Sequence, residues 1–239
     1  MPVVVEIVDA NATQESINKI FDYFKYVDEK FSPFKETSEV SKINNGLIKE
    51  KDYSQDMQEI LKLAKQTKEE AGGYFDITDN NGKINPSGIV KGWAIFNASK
   101  LVQEIGFKNY YVEAGGDIQV SGKNSNGEPW KIGIKNPFNN SEIVKIVLLD
   151  KNQGIATSGT YVRGQHIYNP KNRTEEMTQI VSISVIGPNV YEADRFATAA
   201  FAMQKEGINF IEKLSGFEGY MINKNGMATM TSNFEAYTK

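Results

Sequence analysis

Apolar residues recur at spacings of three and four in three stretches of the first half of the chain, as they do in helices that bury one face. The first stretch follows Thr13, a good helix-capping residue, and runs to Ser32-Pro33, where proline prevents continuation. The second covers residues 54–71 and stops at two glycines, and the third covers 89–105. The pattern therefore predicts three amphipathic helices.

The second half predicts mainly strands, because short runs rich in β-branched and aromatic residues alternate with turn residues. A fourth helical region begins at Glu192, is broken near Gly207 and ends at Leu214. Helices around a strand-rich middle indicate a mixed α+β fold built from layers of sheet and helix. The predicted strands are 3–8, 110–114, 118–121, 130–135, 143–149, 180–186 and a closing hairpin of 220–223 with 227–230.

Three further segments are interpreted as irregular. Residues 31–44 are interpreted as a loop with aromatic and polar groups able to hold a planar ligand, although taken alone it would be an ordinary surface loop. Gly115-Gly116 lies between two predicted strands and indicates either a plain turn or a tight bend near a ligand. Residues 156–161 offer hydroxyls and backbone amides and are either a ligand-facing segment or a turn.

Composition narrows the class of protein. A chain of 239 residues with a net charge of −3 has the size of one large domain or two joined lobes, and it lacks the basic surplus of a nucleic-acid-binding protein. It has no cysteine, which excludes disulfides and thiolate metal sites. The sequence as it stands has no signal peptide, no lipid-acceptor cysteine and no apolar stretch long enough to span a membrane, so we expect a cytoplasmic protein.

Three places suggest chemistry. His166 is the only histidine and is the obvious acid–base candidate near neutral pH, although a structural role is the simpler interpretation of one histidine taken alone. Asp194 and Thr198 lie four apart in a predicted helix and can both ligate a hard cation such as Mg²⁺; alternatively, Asp194 caps the helix and Thr198 packs in the core. Gly88 and Lys91 open another predicted helix, which suits a diphosphate or is simply a helix start with an exposed lysine.

Taken in order, these segments resemble the FAD:protein FMN transferase (ApbE-type) family through nearly the whole chain. Each motif is weak alone, but seven in the same order are specific. The motifs are residues 31–34 with 38–44 (FSPF…SEVSKIN), 73–78 (GYFDIT), 87–92 (SGIVKG), 114–117 (AGGD), 156–161 (ATSGTY), 166–170 (HIYNP) and 193–198 (ADRFAT).

The resemblance implies a single domain over residues 1–239, with two lobes and largely antiparallel sheets layered with helices. It implies Mg²⁺-dependent transfer of the FMN half of FAD to a Thr or Ser hydroxyl of a protein carrying an Asp-x-x-Ser/Thr-Gly-Ala/Ser-Thr motif, with release of AMP. His166 would be the general base, and Asp194, Thr198 and the carbonyl of Gly88 would hold the metal. The residues implied to bind FAD are Ser32, Phe75, Asp76, Ile77, Asn85, Lys91, Gly115, Gly116, Asp117, Ser158, Gly159 and Ile167.

The chain also departs from the family pattern. It has Asn85 where many relatives have Asp, and residues 169–173 (NPKNR) where many have Asp-Pro-x-Thr-Gly. A loop that usually follows the 75–78 motif is nearly absent. Two alternatives to the transferase stay open: hydrolysis of FAD to FMN and AMP, with water in place of the acceptor, and FAD binding without catalysis.

Overall fold

Two antiparallel sheets contain the strands of this protein, for which a computed structural model describes residues 1–160 and 167–238, apart from the side chain of residue 140. Within those residues the strands are β1 (Val3–Ile7), β2 (Tyr110–Ala114), β3 (Asp117–Ser121), β4 (Trp130–Asn136), β5 (Asn139–Leu149), β6 (Gln153–Gly159), β7 (Ile180–Gly187), β8 (Glu218–Asn223) and β9 (Ala228–Met230). Seven of them form one sheet in the order β1-β2-β3-β6-β7-β8-β9, while β4 and β5 pair separately. Every strand pairing is antiparallel, which confirms the predicted fold class.

The helices occupy two parts of the chain, one before β2 and one after β7. They are α1 (Gln14–Phe31), α2 (Glu39–Asn44), α3 (Gln55–Glu70), α4 (Ser87–Glu104), α5 (Val190–Ala202) and α6 (Gly207–Glu212), with 3₁₀ turns at Glu50–Asp52, Gln204–Glu206 and Phe234–Tyr237. In the described part of the chain, none of the helices is long and apolar enough to cross a bilayer.

Local capping explains where the first helices start. The Thr13 hydroxyl accepts a hydrogen bond from the Ser16 amide (3.2 Å), and the Ser54 hydroxyl accepts one from the Met57 amide (3.2 Å). Each bond satisfies a backbone donor that has no partner inside the helix. The predicted starts of α1 and α3 are therefore confirmed, and α1 ends before Ser32 as expected.

Several predicted boundaries were wrong, including the starts of β5 and α5, which begin four and two residues earlier than expected. Part of the presumed loop 31–44 is helix α2, which the Ser38 hydroxyl caps through the Ser41 amide and which buries Val40 in the core. The segment 156–161, interpreted as a ligand-facing segment or a turn, is strand β6 as far as Gly159, because β6 pairs with β3 on one side and β7 on the other. Helix α4 begins at Ser87, two residues before the predicted start.

Helix α5 lies at the centre of the packing. Its side chains enter three separate apolar clusters: Tyr191 packs with α1, α3 and α4, Phe201 packs with β7, and Val190 packs with α4 and β2. The predicted break near Gly207 is instead at Met203–Gln204, where Gln204 has a positive φ of 54° and starts a 3₁₀ turn. Residues on α5 are consequently held from several sides.

Candidate functional site

The site is built where α4 crosses α5, at Gly92. A β-carbon on Gly92 would lie 2.7 Å from Asp194 Cβ and 2.9 Å from the Val190 carbonyl oxygen, closer than ordinary contact allows. Only glycine lets the two helices come this close. The approach brings the Gly92 amide within hydrogen-bonding distance of Asp194 Oδ2 (2.8 Å).

Two buried carboxylates share one ammonium group at this crossing. Asp117 and Asp194 are both almost completely buried. Lys91 Nζ lies 2.6 Å from Asp117 Oδ2 and 3.6 Å from Asp194 Oδ1. The Thr157 amide donates to the other oxygen of Asp117 at 3.1 Å. Three elements, α4, β3 and α5, therefore contribute charge to one small volume.

Burial controls the ionisation of Asp194. Removal from water raises the pKa of this carboxyl, the Lys91 ammonium opposes the rise, and the Asp117 carboxylate adds to it, with a resulting pKa of about 7. Asp194 is therefore a carboxyl that gains or loses its proton in the physiological range. A cation placed beside it would favour the ionised form.

Hydroxyl groups line the neighbouring side of the crossing. Thr198 lies one turn after Asp194, and its Oγ1 is 3.4 Å from Ser158 Oγ on β6. A β-carbon on Gly88 would be 3.4 Å from both Thr198 Cγ2 and the Phe75 ring. The structure thus brings the Gly88 backbone, Thr198, Ser158 and Phe75 together beside the carboxylates.

The start of α5 disproves one alternative interpretation. Asn189, not Asp194, caps this helix by accepting from the Glu192 amide at 2.9 Å. The buried Gln119 also accepts, from the Val190 amide, at 2.8 Å. Sequence reasoning missed both residues, although Asn followed three positions later by Glu is a recognisable capping pattern. Asp194 is consequently left available for the site.

The segment from Phe75 to Thr78 forms one wall beside this crossing. Phe75 and Ile77 are buried, whereas Asp76 is bound by the Lys68 ammonium (2.7 Å) and by the Thr78 amide (2.9 Å). Asn85 is exposed, with its backbone amide on the Ile77 carbonyl (2.7 Å) and its side chain on the Ser87 hydroxyl (2.6 Å). The wall and the start of α4 are thus tied together.

The remaining candidates lie nearer the periphery. Gly115 and Gly116 form the two-residue turn between β2 and β3, with positive φ at both positions, and so place Asp117 at the start of β3. Ser32 follows α1 and its hydroxyl accepts from the Phe34 amide at 3.3 Å. Gly159 ends β6. Ile167, another predicted flavin ligand, packs against the apolar cluster formed by α5 and β7. His166 lies outside the described residues.

The donor set favours a cation that prefers oxygen ligands. Among the described residues, no cluster of three or more His, Cys, Asp or Glu side chains is placed to hold a metal ion. The oxygens that do come together belong to two carboxylates and two hydroxyls, and the ammonium group of Lys91 already lies between the carboxylates. With two carboxylates around one ammonium, this is a site that stabilises positive charge.

Fold and site together define an α+β protein with a charged site where two central helices cross. The chain belongs to the ApbE family, whose sequence profile matches residues 1–81 and 78–221. Among curated proteins, an FAD:protein FMN transferase of Haemophilus influenzae is 28% identical over 165 residues, covering 65% of this chain and 48% of that protein. One from Vibrio cholerae is 33% identical over 131 residues, covering 52% and 39%. The matched region thus spans about half the length of these relatives or less.

Solved structures share the fold over almost the full chain. The flavin transferase ApbE of Vibrio cholerae superposes with a TM-score of 0.85, covers 98% of this chain and 95% of its own, and is 21% identical. The apo form of the Pseudomonas stutzeri flavinyl transferase ApbE also gives 0.85, with 99% and 93% coverage and 18% identity. At these identities the superpositions establish the fold alone.

Proposed function

We propose that this protein transfers the FMN moiety of FAD to a Thr or Ser hydroxyl of an acceptor protein in a Mg²⁺-dependent reaction that releases AMP. The observation that carries the proposal is the convergence of Asp117, Lys91 and Asp194 at the α4–α5 crossing, with the Thr198 hydroxyl one turn along α5. Family membership supports the same reaction class.

The residues present fit a magnesium site. Asp194 and Thr198 supply a carboxylate and a hydroxyl, and the backbone of Gly88 lies against Thr198. In an α-helix the amide of Gly92 normally donates to the carbonyl of Gly88. Here the Gly92 amide is hydrogen-bonded to Asp194, so the Gly88 carbonyl competes with Asp194 for this donor. Bound Mg²⁺ would draw charge from phosphorus and stabilise the leaving AMP.

The start of α4 suits the diphosphate of FAD. Amide groups at a helix N-terminus favour anions, and α4 begins at Ser87 beside the buried Phe75. Lys91 lies in the second turn, where its ammonium can exchange a carboxylate for a phosphate oxygen. Asp117 would then orient Lys91, because its second oxygen is fixed by the Thr157 amide.

The acceptor hydroxyl requires a base, and His166 is proposed for that role. The imidazole would take the hydroxyl proton as the acceptor oxygen bonds to the FMN phosphorus and the bond from that phosphorus to the AMP oxygen breaks. General base catalysis of this kind contributes about 10²–10⁴-fold. His166 directly precedes Ile167, whose side chain packs against the α5–β7 cluster.

The experiment is incubation of the full chain with FAD, Mg²⁺ and an acceptor polypeptide carrying Asp-x-x-Thr-Gly-Ala-Thr, read by intact mass. We expect the acceptor to gain the mass of one FMN residue, with equimolar AMP. The gain should disappear with EDTA and in Asp194→Ala. His166→Ala should lose transfer but keep FAD affinity, measured by titration calorimetry.

The matched control is Asp56→Asn, which removes a carboxylate paired with Lys30 (2.8 Å) away from the helix crossing and should leave transfer unchanged. Free FMN and AMP with an unmodified acceptor would replace the proposal with FAD hydrolysis. Intact FAD under all conditions would replace it with binding alone.

A further inference from the structure

The segment after His166 is attached to the wall of the site by three side chains, which we call the latch: Tyr168, Lys171 and Arg173. The Tyr168 hydroxyl donates to the Asp76 carbonyl at 3.3 Å. The Arg173 guanidinium donates to the Thr78 carbonyl. The Lys171 ammonium lies 4.5 Å from the centre of the Tyr74 ring. The latch therefore contacts the wall at Asp76 and Thr78, and the Tyr74 ring next to it.

Arg173 makes two contacts at once. While it donates to Thr78, its guanidinium carbon lies 4.7 Å from the centre of the Tyr168 ring. A planar guanidinium can stack on a ring and donate in its own plane, which an ammonium cannot do. Arg173 thus joins the wall to Tyr168 and fixes the course of the chain between them.

The latch combines two features in which this chain departs from the family pattern. Thr78 pairs with Ile84 in a tight hairpin, closed by hydrogen bonds between Asp79 and Lys83, where a longer loop is usual. The short hairpin leaves the Thr78 carbonyl accessible to a side chain. Arg173 occupies the position at which a glycine is common, and it provides that side chain.

We propose that Arg173 is a positioning residue that fixes the segment 167–173, which continues directly from His166, against the flavin-site wall. The wall has anchors of its own, since Phe75 and Ile77 are buried and Asp76 is paired with Lys68. Loss of Arg173 therefore loosens the segment after His166 and not the wall. This inference rests on the proposed transferase function.

The test uses Arg173→Met in the full chain, which keeps an apolar stem and removes both contacts. We expect kcat for FMN transfer to fall about 10–100-fold, the size of effect that a small misplacement of a reacting group produces. The KM for FAD should stay within about threefold, because the wall is intact. Hydrogen exchange should accelerate in peptides covering 167–173 and stay unchanged in those covering 75–85.

Two further variants sharpen the test. Arg173→Lys can restore the bond to Thr78 without stacking and should recover kcat only partly. Lys100→Met removes a comparable cation–ring contact (4.4 Å from the centre of the Phe96 ring) on α4, away from the latch. It should leave kcat and hydrogen exchange in 167–173 unchanged.

Three results would overturn the latch: an unchanged kcat in Arg173→Met, a KM for FAD raised well beyond threefold, or faster exchange throughout the protein. A wild-type protein that transfers no FMN would instead refute the proposed function. The exchange measurement needs no activity, so it still reports on whether Arg173 fixes the segment.

Discussion

Replacing Asp194 with Asn should stabilise the folded protein while abolishing its activity. Asn has nearly the same shape, and its side-chain oxygen can still accept from the Gly92 amide. What it removes is a carboxyl group that burial keeps partly protonated, with a pKa of about 7 against an ordinary value of 3.8. Holding this ionised group in the interior therefore lowers the free energy of unfolding of the wild-type protein.

The size of the effect follows from the two pKa values. Because the folded-state pKa is the higher one, the stability contributed by this group is fully present below pH 3.8 and is lost as pH rises to about 7. Each pH unit in that window costs about 1.4 kcal/mol, and the total approaches about 4 kcal/mol. Total folding stabilities are only about 5–15 kcal/mol, so the difference should be readily measured.

Urea unfolding of both proteins without metal, from about pH 4 to about pH 8, measures it. The advantage of Asp194→Asn should grow across this window and level off near its upper end. Asp56→Asn is a control for which the opposite change is expected. Burial raises the pKa of Asp56, but hydrogen bonds from Lys30 and Tyr26 outweigh this effect and leave the pKa lowered. Removing the Asp56 carboxylate should therefore make the protein less stable. A constant difference between wild type and Asp194→Asn, or an Asn variant less stable at pH 8, would refute the reasoning.

Three other variants test the helix crossing. Gly92→Ala should lower the free energy of unfolding by about 1–3 kcal/mol, which calorimetry detects as a fall in Tm of about 2–4 °C per kcal/mol. Gly88→Ala on the same helix adds only a 3.4 Å contact and should leave Tm nearly unchanged. Equal Tm values for the two variants would contradict the close approach at Gly92. Asn189→Ala should cost about 1 kcal/mol in urea unfolding through loss of the cap, and an unchanged midpoint would contradict it. Thr198→Val should raise the Mg²⁺ concentration needed for half-maximal FMN transfer, and an unchanged requirement would argue against ligation by Thr198.

Helices with local signals could be predicted well from the sequence. The capping hydroxyls of Thr13 and Ser54 and the proline after Ser32 act within one turn of the chain, so the residues that determine the boundary are its neighbours. Strand β6 had no such signal. Residues 153–159 are mostly small or polar, and they form a strand because β3 and β7 hydrogen-bond on both sides. Only the tertiary arrangement provides those partners.

The contacts of the candidate site likewise include some that the sequence predicts and some that only the tertiary structure reveals. The spacing of Asp194 and Thr198 placed both on one helical face, and the structure agrees. The contact between Asp194 and the Gly92 amide joins residues 102 positions apart, and no pattern along the chain indicates it. Asp117 was predicted as a flavin ligand from its motif, which stays a prediction, and its burial beside Lys91 is a contact that only the packing reveals.

The close approach at Gly92 also constrains how this protein can vary. A backbone amide bound to a carboxylate between two central helices opens to solvent only when those helices separate, which amounts to unfolding. Site and folding core therefore cannot be altered independently at Gly92, and most substitutions of this glycine should be lost through instability before any change in chemistry is selected. Substitutions that keep the fold are instead expected away from this crossing, for example in the exposed hairpin after Thr78.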